Sequence, residues 1–172
     1  MTPEQHLQEI EAFSRRYRYD MDYLKEFLHA SPKGYEKFAN FRPLSHHREF
    51  LSADIYWVSK LAAMQVADCG ACLQLSVRMA LEAGLDKSLV QACLQGGSHL
   101  PDKLKDIFDF ATAVAGHQDI DPQLEERIDT ILEKRQRIEL GVCVATASVY
   151  PTIKRAMGYA QSCCLLDVDF SV

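Results

Sequence analysis

The stretch Asp68–Asp86 reads DCGACLQLSVRMALEAGLD and holds the strongest fold signal in the chain. Asp68 is a natural helix N-cap, which places Cys69 and Cys72 in the first turn of a helix running to about residue 83. Gly84 suits the C′ position, where a left-handed backbone is needed, and Asp86 suits the N-cap of the next helix. Two helices joined by so short a turn form one supersecondary unit. The same punctuation recurs outward from it. Thr2-Pro3-Glu4-Gln5 combines an N-cap, a proline at the first helical position and a capping-box Gln, and Ser31-Pro32 and Asp121-Pro122 repeat the cap-then-proline signal. Apolar residues recur at steps of three and four, as in Ile55, Val58, Ala62 and Val66. These signals predict helices at about 3–17, 20–29, 33–39, 46–66, 69–83, 87–96, 102–116, 122–134 and 137–160. Alternating strand patterns are nearly absent, so the expected fold class is all-α.

With 172 residues and 48% hydrophobic content, the chain can bury the core of a single domain. Its expected organisation is an N-terminal helical arm over residues 1–45 and a core over 46–164, without internal repeat or linker. A formal charge of −5 provides no basic field for nucleic acid or an acidic membrane surface. No apolar run approaches the length of a membrane span, and the first residues lack the apolar stretch of a secretory signal. The expected compartment is the cytoplasm. In that reducing setting, cysteine pairs are more often catalytic or metal-binding than structural.

Six cysteines sit at irregular spacing. Cys69 and Cys72 occupy a helix start, where free backbone N–H groups and the helix dipole stabilise a thiolate, and their three-residue spacing permits a tight disulfide. Asp68 opposes thiolate formation, and no histidine lies between His47 and His99. The alternative for the pair is core filling, since free cysteine is among the most buried residue types. A metal site would need two more ligands, and neither Cys163-Cys164 nor His46-His47 has a ligand-hairpin spacing. Neither metal nor cofactor is therefore expected. Cys93 and Cys143 fall in apolar runs and read as packing residues, Cys163-Cys164 as a resolving thiol or an incidental pair, and Trp57 as a core anchor. His46-His47 is a candidate for capping or solvating a helix start, with a site role as the alternative.

The order of these features resembles the carboxymuconolactone decarboxylase and alkylhydroperoxidase AhpD-like superfamily. The resemblance is carried by the DCGAC helix start after a long helix, Ala83-Gly84, LDKSLVQACLQG, LPDKLKDIFDFATAVAGHQ and VATASVYPTIKRAMGYAQSC. It covers roughly residues 46–164 and implies an AhpD-like all-α fold and a homo-oligomer. It also implies that the two motif cysteines reduce hydroperoxides, with Cys72 attacking and Cys69 resolving. Dipole reasoning alone favours Cys69 as the more acidic thiol, so roles differ between the two lines of inference. The family's proton relay has a Glu twelve residues before the first cysteine and a His four after the second. Those places hold Trp57 and Ser76 here. Tryptophan exchanges no proton near neutral pH, and serine at most orients one. Asp54, one turn before Trp57, is a candidate substitute for the acid.

The function expected is that of a thiol-dependent peroxidase or related disulfide redox protein using Cys69 and Cys72, with Ser76 and Asp54 as candidate relay or orienting groups. Its expected partners are a hydroperoxide or another small molecule, and an external dithiol reductant. Alternatives are a nonredox oligomeric scaffold or small-ligand binder and, with less support, a lactone decarboxylase.

Overall fold

The computed structural model describes residues 1–159 and Phe170. Within them all regular structure is helical, in line with the all-α expectation. The helices are α1 (Pro3–Tyr17), α2 (Asp22–Ala30), α3 (Pro32–Ala39), the single turn α4 (Arg42–Ser45), α5 (Ala53–Val66), α6 (Gly70–Glu82), α7 (Lys87–Leu94), α8 (Asp102–Ala115), α9 (Pro122–Ile131), α10 (Lys134–Ala147) and α11 (Val149–Ala156). Several predicted caps are present. Thr2 and Gln5 close a reciprocal capping box on α1, and the Asp121 carboxylate accepts from the amides of Gln123 and Leu124. The end of α6 is a Schellman turn: Gly84 has φ +88°, its N–H reaches Leu81 O, and the Leu85 N–H reaches Ala80 O. Asp86 then caps α7 through the Ser88 amide at 2.7 Å.

Three expected boundaries are corrected. The long helix predicted over 46–66 is an irregular segment over 46–52 followed by α5, because Ser52 caps the Ile55 amide and Glu139 claims the backbone just before it. The Glu139 carboxylate is buried and accepts from the amides of Glu49, Phe50 and Leu51 at 3.0, 2.9 and 3.1 Å, so their hydrogen bonds leave the helical ladder. The helix predicted from 137 begins at Lys134 behind a Glu133–Gln136 capping box, and breaks at Ser148 before continuing as α11. Pro151 has no N–H to give the carbonyl of Ala147, which accounts for the break. The last residue of that predicted helix lies outside the described residues.

The third correction is at the motif. Asp68 is not the cap of α6: it has φ +49°, and its N–H bonds to Gln65 O, closing the end of α5. Asp is one of the few side chains that enters this left-handed region readily. Cys69 is therefore the N-cap of α6, and Cys72 is its third helical residue.

Every residue of α5 from Ile55 to Met64 is buried, so this helix runs through the centre, packed by α6, α7, α8 and α10. The first forty-five residues belong to the same core. Ile10, Tyr19, Tyr23, Leu24 and Tyr35 are all buried in one cluster with α5 and α6, and α4 packs on α10. The expected arm thus supplies part of the interior.

Candidate functional site

Helices α5 and α6 meet at the Asp68 turn, and a cavity of about 90 Å³ opens between them, the N-terminal segment and α10. Its lining is mostly apolar and aromatic, including Phe13, Tyr23, Leu24, Trp57, Met64 and Met79. Cys72 and Ser76 lie on its wall from α6, and Trp57 and Lys60 from α5. Positions 57 and 76 thus face the same space as the second cysteine.

Both sulfurs are free thiols, exposed by only 4% at Cys69 and 3% at Cys72. They titrate in opposite directions. The hydrogen bond from the Cys72 thiol is the largest influence on Cys69; with the Cys72 amide and the cations of Lys154 and Arg155 it overcomes burial and lowers Cys69 to about 6. The same bond, with burial, pushes Cys72 well above the ordinary thiol range. One negative charge is therefore held at the N-cap position, while the thiol facing the cavity keeps its proton. This agrees with the dipole reasoning on acidity.

A hydrogen-bonded chain continues from Cys72. Tyr19 Oη lies 3.4 Å from Cys72 Sγ, and Lys154 Nζ donates to Tyr19 Oη at 3.2 Å. Assigning each proton to the group that can give it makes Lys154 donate to Tyr19, Tyr19 to Cys72, and Cys72 to the Cys69 thiolate. Burial raises the Tyr19 phenol, so it stays a donor at neutral pH. Lys154 is itself buried, lies 4.8 Å from the centre of the Tyr19 ring and 5.2 Å from that of Tyr23, and has no carboxylate in ion-pair range among the described residues. The thiolate is the negative charge that its cation faces.

Of the other predicted site residues, Ser76 is brought to the cavity but spends its hydroxyl proton on the Cys72 carbonyl, 3.0 Å away and one turn back. Asp54 is not brought there. It lies exposed in the first turn of α5, where a carboxylate suits the helix dipole, while the cavity is lined from Trp57 onward. Cys93 and Cys143 are buried, with thiols pushed up to about 12 and about 11 by burial. Cys163 and Cys164 lie outside the described residues. His46 lines the cavity with its ring Nδ1 2.9 Å from Arg42 O, whereas His47 is exposed beside Glu49. No group of three or more His, Cys, Asp or Glu side chains among the described residues could hold a metal ion.

Sequence reasoning missed Tyr19, Lys60 and Lys154. A lone lysine in the apolar run IYWVSKLAAM was a readable signal for Lys60. Nothing local marks Tyr19 or Lys154, which reach the site only through packing.

Fold and site define an all-α protein with a polarised dithiol on the wall of an apolar cavity. No protein-family model, characterised protein or solved structure matches the chain. No helix among the described residues is long and apolar enough to cross a membrane.

Proposed function

We propose that the protein is a thiol-dependent redox enzyme of AhpD-like type, reducing a small hydroperoxide at Cys72 and closing a Cys69–Cys72 disulfide. The observation that carries this is the chain Lys154–Tyr19–Cys72–Cys69, which pairs a proton-accepting thiolate with the cavity-facing thiol. In this reading it handles the protons that Trp57 and Ser76 cannot.

In the first step the Cys72 sulfur attacks the outer peroxide oxygen while its proton passes to the Cys69 thiolate, and the O–O bond breaks. The departing alkoxide takes a proton supplied through Tyr19, with Lys154 as its source, and leaves as the alcohol. Cys72 is then a sulfenic acid and Cys69 a neutral thiol. Attack of the Cys69 sulfur on the sulfenic sulfur forms the disulfide and releases water, the Cys69 proton leaving with the hydroxyl. The peroxide gains two electrons and the dithiol loses two. An external dithiol returns them by exchange.

One observation favours a nonredox small-ligand role for the same cavity: neither sulfur is more than 4% exposed. Thiol counting separates the two. In protein with Cys163 and Cys164 replaced by Ser, stoichiometric tert-butyl hydroperoxide is expected to remove two thiols, at most one in the further Cys69→Ser variant, where Cys72 stops at the sulfenic acid, and none in the further Cys72→Ser variant. An unchanged count in the parent protein rejects the redox function and leaves ligand binding.

A further inference from the structure

Lys60 is the second buried cation of this region. It is 7% exposed, lines the cavity, and lies at the middle of the buried stretch of α5 from Ile55 to Met64. Its Nζ donates to Ser45 O at 2.9 Å, and reaches Cys143 O and Thr146 Oγ1 only at 3.5 Å. All three are neutral oxygens, and among the described residues no carboxylate lies in ion-pair range. A buried ammonium without a counter-charge costs several kcal/mol, and fixed neutral dipoles offset only part of that. Burial accordingly lowers the pKa of Lys60.

One further donor lies at the same wall, the Tyr150 hydroxyl, because Ser45 Oγ gives its own proton to Arg42 O at 2.8 Å. Ser45 Oγ lies 3.2 Å from Tyr150 Oη and 3.1 Å from His46 Nδ1, and all three residues line the cavity with Lys60. Arg42 also lines it, but its Nη1 is engaged with Glu9 at 3.4 Å. The rest of the lining is mostly apolar and aromatic. The thiol it presents is the protonated one, and the charge of the pair sits behind it on Cys69, faced by Lys154 and Arg155.

We propose that this cavity binds a small apolar monocarboxylate, with its carboxylate on Lys60 and the Tyr150 hydroxyl and its body against Trp57 and Met79. The paired requirement is one negative charge and a compact hydrocarbon body. The cavity is small, about 90 Å³ against roughly 150 Å³ for one that takes up benzene, but it is open, so a single-ring acid can seat its carboxylate inside with its body reaching towards the opening. A carboxylate supplies the missing counter-charge and a stronger acceptor than the two oxygens at 3.5 Å, forming charge-assisted hydrogen bonds in a mostly apolar site. The proposal rests on the redox function only for what happens at Cys72: there the carboxylate would be the anchoring group of the hydroperoxide substrate.

The test is binding, and it needs no turnover. Trp57 is the single tryptophan and lines the cavity, so its emission reports occupancy. Titration of the reduced protein with benzoate and with benzyl alcohol is expected to give saturable changes, with benzoate binding about tenfold or more tightly. In Lys60→Met the benzoate advantage is expected to disappear while benzyl alcohol affinity stays within about twofold. Equal affinity of the two compounds for the unaltered protein overturns the proposal, as does a benzoate advantage that survives in folded Lys60→Met. Should that variant fail to fold by circular dichroism, the comparison in the unaltered protein decides alone. Thiol counting with tert-butyl hydroperoxide, a neutral peroxide, reports the redox function separately, so either can fail without the other.

Discussion

Tyr19 and Cys72 are joined side chain to side chain, Oη to Sγ, at 3.4 Å, although fifty-three residues of sequence separate them. The contact ties the N-terminal segment to the dithiol and extends the hydrogen-bonded chain to Lys154 on α11. In the proposed chemistry these residues, which lie outside the motif, carry the protons.

Removing the phenol tests that role. Tyr19→Phe keeps the ring that packs in the core but breaks the chain between Lys154 and Cys72, and is expected to slow hydroperoxide-driven thiol loss by about tenfold or more. Ser76→Ala is expected to stay within about twofold, because its hydroxyl serves a backbone carbonyl and not the thiol. Stopped-flow thiol kinetics on both variants check the pair; a larger effect at Ser76 than at Tyr19 would place the relay where the family resemblance puts it.

The polarisation of the dithiol predicts a pH profile. Cys69 should titrate to thiolate at about pH 6, since its pKa is lowered first by the Cys72 thiol and further by Lys154. Cys72→Ala removes the principal hydrogen-bond donor and is expected to move the Cys69 midpoint upward, towards the ordinary thiol value near 8.5. Lys154→Met should move it in the same direction. Ultraviolet thiolate absorbance against pH measures all three, and a midpoint indifferent to Cys72 would contradict the assignment.

Glu139 predicts an acid limb in stability. Burial alone raises its carboxyl, but the amides of Phe50, Leu51 and Glu49 lower it by more, so its folded pKa lies below the unfolded one. Its stabilisation is present above the unfolded value of about 4.3 and is lost as pH falls through the lower folded value. Glu139→Gln is expected to cost about 2 kcal/mol at neutral pH. Urea unfolding at neutral and acidic pH should show the gap between the two proteins closing as pH falls.

Asp68 separates two accounts of the motif by sign. As the left-handed residue after α5, Asp68→Gly is expected to be neutral or stabilising by up to about 1 kcal/mol. As an N-cap of α6, the same change would be mildly destabilising. Thermal unfolding of the variant, read as a rise or a fall in Tm, decides.

Much of the fold was legible because its signals are local. The caps at Thr2, Asp86 and Asp121 and the Schellman turn at Gly84 act within a few residues of themselves, and each is where its neighbours predict. Errors arose where a distant group competed. Glu139, about ninety residues away, unwinds the segment before α5 by taking its amides, and no periodicity within 46–66 reports that. Asp68 satisfied the rule for an N-cap and also the rule for a left-handed turn; the end of α5 took precedence.

By itself, the sequence determined an all-α chain and a dithiol at a helix start, because helix periodicity, capping chemistry and cysteine spacing are properties of contiguous residues. Tertiary structure alone decided which sulfur faces the cavity, which carries the charge, and that Tyr19, Lys60 and Lys154 surround them. The physical reason is that desolvation and charge pairing act through space: a buried lysine acquires its meaning from whichever oxygens, rings and sulfurs packing brings within a few ångströms.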